Sequence, residues 1–97
     1  MILLKLHKSG SSEIVSLCDS NLIGKTFEEG KLHLEISERF YKGEELPKEK
    51  IILILKNCNN ANIVGKESIK LALENDIIEK ESIINIKKIP ISYLIRT

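Results

Sequence analysis

The spacing of the apolar residues changes along the chain. Ile2, Leu4 and Leu6 recur at every second position, and so do Leu32, Leu34 and Ile36, with Lys31, His33 and Glu35 between them. Ile51, Ile54, Leu55 and Cys58 recur at steps of three and four, as do Ile69, Ala72 and Leu73. A period of two marks a strand with one buried face, and a period near 3.6 marks an amphipathic helix. A chain that carries both must lay helices against a sheet.

The order of elements follows from where each period starts and stops. A strand over 2–7 is followed by Ser9-Gly10-Ser11-Ser12, which reads as a hairpin loop. A second strand spans 13–18, with Ile14, Val15 and Leu17 apolar on both faces. Residues 19–30 read as irregular, and 31–36 as a third strand. Three strands on short connections predict an antiparallel meander. After a polar stretch with Phe40, Tyr41 and Gly43, Pro47 suits the first turn of a helix, where its missing N–H costs nothing. Asn57, Asn59, Asn60 and Asn62 crowd the next turn and predict that the helix stops there, in a helix-to-helix connection. A second helix is expected over 66–74, with Asn75 able to end it. Two last strands are expected over 83–87 and 91–96, broken at Ile89-Pro90. The expectation is an α+β fold of order βββααββ: a mostly antiparallel sheet with two helices packed on one side, in a single domain over residues 1–97.

Composition limits the functional classes. The chain has 97 residues, 15 basic against 14 acidic, for a net charge of +1. Dedicated non-specific nucleic-acid binders carry a clear positive excess, and this chain has none overall. Aromatics are few (Phe27, Phe40, Tyr41 and Tyr93), so the core is aliphatic. Lys outnumbers Arg and Asn is frequent, a pattern of A/T-rich codon usage that gives some of the lysines no functional meaning. Cys18 and Cys58 are too far apart for metal-ligand spacing and too few for a disulfide framework. Two buried free thiols in a reducing cytoplasm is the expectation. The N-terminal apolar run is too short for a signal peptide, and no stretch approaches a membrane span.

Several constellations invite a chemical reading, each beside a plainer one. Gly24-Lys25-Thr26 looks like the end of a phosphate loop, but that loop needs a glycine five positions earlier, where Asp19 stands. A turn with Gly24 at positive φ is the plainer reading. If the first and third strands are neighbours, Lys5, His7, Lys31, His33 and Glu35 share one outward face. That face reads as an ordinary solvated one, or as a surface for RNA or protein; a metal would need three convergent ligands. Lys80, Lys87, Lys88 and Arg96 form a modest basic patch if the last two strands pair. No nucleophile–base pair or acid–base couple can be built. Asn62-Ile63-Val64-Gly65 precedes a helix, whose free N–H groups suit an anion; the plainer reading is Asn side chains capping backbone. Tyr41 and Asn62 are expected to face one another across a shallow groove, with the Gly65 amide at its floor.

Gly24-Lys25-Thr26-Phe27-Glu28-Glu29-Gly30, Phe40-Tyr41-Lys42-Gly43 and Ala61-Asn62-Ile63-Val64-Gly65 occur in this order. With that order and spacing the chain resembles the archaeal proteins of domain-of-unknown-function family 424 over essentially its whole length. Members of that family tend to carry a Pro-His pair near the C-terminus; here Pro90 is followed by Ile91. The resemblance implies an archaeal, cytoplasmic, stand-alone small domain and assigns it no activity.

The functional expectation is a non-enzymatic binding module for RNA or a ribonucleoprotein, associated with archaeal translation. The alternative is a protein-interaction subunit of a cytoplasmic complex, for which the outward apolar Leu3 and Ile83 speak. A lesser alternative is a small-ligand binder using the turn at Asn62 and Gly65. Tyr41, Asn62, Gly65, Lys25, His7 and His33 are the candidate binding residues. No cofactor, metal, membrane or DNA is expected.

Overall fold

The structure is a computed structural model and describes residues 1–96. Its centre is a five-stranded sheet in the order β1-β2-β5-β7-β6. β1 (Ile2–Ser9) and β2 (Ser12–Asp19) form an antiparallel hairpin across Gly10-Ser11, where expected. β2 then pairs with β5 (Asn60–Val64) in parallel, and β5 pairs with β7 (Ile89–Ile95) antiparallel. β6 (Ile84–Ile86) closes the other edge, antiparallel to β7. The sheet is mixed and mostly antiparallel, and the fold is α+β.

Both faces of this sheet are covered, by different material. Leu4, Val15, Leu17, Ala61 and Ile63 point to one face and pack against Ile51 and Leu55 of α2 (Lys48–Asn57) and Ile69 and Ala72 of α3 (Lys66–Glu74). These are the two helices that the spacing of three and four predicts, both on one side. Cys18, Val64, Ile86 and Ile91 point to the opposite face and meet Leu22, Leu34, Ile36 and Tyr41. That second layer is a separate hairpin, β3 (Thr26–Glu29) with β4 (Leu32–Glu35), and a one-turn helix α1 (Glu38–Tyr41).

Four local expectations are corrected. The strand expected over 31–36 exists as β4, but it pairs with β3 rather than with the first two strands, so there is no three-stranded meander. Thr26–Glu29, read as irregular, supplies that partner. Residues 57–65, read as a helix connection, contain β5, the central strand of the main sheet. The break between the last strands falls at Lys87-Lys88, not at Pro90. Pro90 lies inside β7 and its carbonyl accepts from Gly65 where β5 ends.

Candidate functional site

The layer of hairpin and α1 is smaller than the face it covers. Along β5 and β7, the pair Val64–Ile91 is buried beneath it. One step of two further on, Asn62 stands opposite Tyr93, and beyond them Asn60 stands opposite Ile95. Cover ends between the first pair and the second. Asn60 and Asn62 are half-buried, while Tyr93 is 51% exposed and Ile95 74%. Ser16 of β2 lies in register with Asn62 on this face, but it is buried under α1 and marks where the open part ends. The result is an open stretch of the β5–β7 ladder, with the Tyr93 ring bordered on one side by the amides of Asn60 and Asn62.

One rim of this surface is fixed by α1. Ser37 caps it, its hydroxyl accepting from the Phe40 N–H. The Phe40 carbonyl accepts from Ser16 Oγ at 2.9 Å and from His7 Nε2 at 2.8 Å, so the Nε2 of His7 carries the proton there. The rings of His7 and Phe40 stack at 4.1 Å and 8°, and Phe40 meets Tyr41 edge-on at 4.9 Å. Lys5 Nζ donates to the Arg39 carbonyl. Tyr41 is buried, and burial pushes its hydroxyl up to about 12. Asn62 is near enough to the Tyr41 hydroxyl to oppose that shift. Tyr41 packs against Val64 and Ile91, and Asn62 points to the same face one step of two along β5, so the two residues share one face.

The other candidates are placed apart. The N–H of Gly65 donates to the Pro90 carbonyl. The N-terminus of α3 that it opens holds the chain's own anion: Asp19 accepts from Glu67 N at 3.0 Å, Ser68 N at 2.8 Å and Ser68 Oγ at 2.7 Å. Lys25 is exposed, and its backbone pairs with Leu22 and Ile36 rather than wrapping a phosphate. His33 is exposed on β4, with its Nδ1 2.9 Å from Glu28. The β3–β4 hairpin packs towards β6, at the opposite edge of the sheet from β1, so His7 and His33 do not gather on one face. Among the described residues no group of His, Cys, Asp and Glu could hold a metal ion. The basic patch does not assemble either. Arg96 Nη1 donates to the carbonyls of Leu55, Lys56 and Cys58 at the end of α2, far along β7 from Lys87 and Lys88. Cys18 and Cys58 are free and buried, and burial pushes the Cys18 thiol up to about 12.

The family model described as "Protein of unknown function (DUF424)" matches residues 7–97. The chain belongs to this family. A solved structure titled "Crystal structure of an uncharacterized conserved protein from Methanopyrus kandleri" is similar in fold, with a TM-score of 0.77 at 20% identity, over 99% of this chain and 94% of that one. No curated protein matches the chain. No helix among the described residues is long and apolar enough to cross a membrane.

The three segments that carry the DUF424 resemblance have structural tasks. The segment from Gly24 to Gly30 is β3 with the turns at its two ends. In the second segment, Gly43 lies so close to β1 that a Cβ would run into the carbonyl of Leu4. That approach lets Glu44 exchange backbone hydrogen bonds with Leu4 at 2.8 and 2.9 Å. In the third, Gly65 has φ 109° and a Cβ there would collide with the Asp19 carboxylate. Ile91, which follows Pro90, is buried against the second core and fits it as an apolar side chain. Sequence reasoning missed Asp19, Asn60 and Tyr93. The alternation of Asn60 and Asn62 with Ala61 and Ile63 was the signal available for β5, which carries Asn60 and pairs with the strand of Tyr93.

Proposed function

We propose that the protein is a small non-enzymatic binding module of the archaeal cytoplasm, and that single-stranded RNA, free or within a ribonucleoprotein, lies across the open half-sheet. The observation that carries this reading is the half-exposed ring of Tyr93 on that surface, directly opposite Asn62 and beside Asn60. An unstacked base can lie on an aromatic face, and side-chain amides can pair with base edges. The stacked pair His7–Phe40 forms the rim. Few cations border this surface, so affinity rests more on stacking than on phosphate contacts.

The test is fluorescence anisotropy of a labelled single-stranded RNA and of archaeal tRNA. Saturable binding with a shallow salt dependence is expected. Tyr93→Ala should weaken it about tenfold or more, since stacking on one ring contributes about 1–3 kcal/mol per base, and Tyr93→Phe should retain it. Absence of binding at low salt, or indifference to Tyr93→Ala, overturns the RNA reading.

A second reading is favoured by Ile95 and Ile84, exposed by 74% and 45% on the same face. Exposed aliphatic side chains suit a protein partner. A stoichiometric protein complex that Ile95→Glu dissolves, with no RNA in it, would decide for that reading.

A further inference from the structure

We propose that the outer edge of β1 takes an extended peptide segment of a partner, one with an apolar side chain flanked by acidic residues. The site lies on the helix-bearing face and outer edge of β1, opposite the His7–Phe40 rim, and does not depend on what binds the open half-sheet.

The backbone is prepared for it. β1 is an edge strand, paired with β2 alone in the sheet. Leu4 directs its N–H and C=O away from β2, to Glu44. By the period of two, Leu6 and Lys8 direct theirs the same way. Glu44 satisfies Leu4, and among the described residues no hydrogen bond reaches the outward groups of Leu6 and Lys8. The chain's own segment around Glu44 thus begins a strand along β1 and does not continue it. A peptide can add its backbone where that segment leaves off, which is strand addition to an open edge.

The side chains fit the same occupant. A cavity of about 480 Å³ opens beside this edge, walled by Leu4, Leu6, Leu46 and Ile54. Leu6 is 49% exposed, and Leu46 and Ile54 are half-buried. A strand residue opposite Leu6 projects its side chain to the face on which Leu6 projects, into this cavity. Lys42 and Lys50 line it against the single carboxylate of Glu44. Lys8, next along the edge, is largely exposed, with Glu13 at 3.8 Å. An excess of lysine around an apolar pocket selects an acidic flank and rejects a basic one.

The experiment uses the full chain and two fluorescein-labelled heptapeptides, Glu-Val-Asp-Leu-Glu-Val-Asp and its counterpart with every acidic residue replaced by Lys, read by anisotropy. The acidic peptide is expected to saturate and the basic one to give no saturation. Lys50→Glu should weaken the acidic peptide about three- to tenfold. Lys8→Pro removes an outward N–H that the fold does not use, so it should keep the melting temperature and lose binding. Ile54→Arg, which puts a charged side chain into the half-buried wall of the pocket, should also lose binding, with the native circular dichroism spectrum retained. Absence of saturation by the acidic peptide overturns the proposal. So does binding that survives both Lys8→Pro and Ile54→Arg, or equal binding of the two peptides.

Discussion

At the scale of single residues, Asp19 does the most for its size. It sits at the end of β2, 5% exposed, and turns its carboxylate onto the first turn of α3. A helix start has free N–H groups and a positive end, and a carboxylate answers both. Its partner position must lack a Cβ, which is why glycine stands at 65. Asp19→Ala should cost about 2–4 kcal/mol in denaturant unfolding, from a lost cap and a stranded Ser68. Gly65→Ala should also destabilise, and the double variant should lose less than the sum, because Ala at 19 makes room for the new methyl. Tyr41 and Cys18 give an alkaline signature. Burial raises each pKa to about 12, from 10.0 and 9.0. Between those values the unfolded chain has lost protons that the folded chain keeps, so stability is full below pH 9 and falls as pH rises towards 12. Tyr41→Phe should flatten the part of that fall above pH 10, seen in melting temperature against pH. Asp19 was legible only as an obstacle to a phosphate loop. Its real task joins positions 48 and 49 residues apart, which no local pattern reveals.

At the scale of elements, the helices and the first hairpin were legible because their patterns are local. Pro47 caps α2, Asn75 caps α3, and Gly10 turns the first hairpin at φ 62°. β5 was hidden because asparagine is depleted in strands and enriched at helix ends. Its alternation was nevertheless intact: Ala61 and Ile63 face the helices, and Asn60 and Asn62 face away. The β3–β4 hairpin was half hidden for a different reason. Glu28 and Glu29 gave no apolar alternation, because this strand buries little beyond Phe27. The β6–β7 turn misled by composition. Lys87 and Lys88 have φ 51° and 66°, the two positive angles of a turn that Asn-Gly would fill without strain. Glu29 Oε1 holds the Lys87 N–H at 2.8 Å. Replacing the pair by Asn-Gly should therefore raise stability by about 1 kcal/mol or more in chemical denaturation. A neutral or destabilising result would show that the lysine turn carries no strain.

At the scale of the whole molecule, one sheet carries two unequal layers. The helices seal one face, and the hairpin with α1 seals half of the other. A sequence shows which residues alternate, but not which strands become neighbours or how far a covering layer reaches. The open half-sheet is thus a property of assembly. It brings Asn60 and Asn62 of one strand beside Tyr93 and Ile95 of another. The most direct measurement is a ¹⁵N–¹H correlation titration of the protein with a single-stranded RNA. If RNA lies there, shifts concentrate on Asn60, Asn62, Tyr93 and Ile95, while the amides of α2 and α3 stay still. Shifts centred on those helices or on the β3–β4 hairpin, or none at low salt, would contradict the RNA reading.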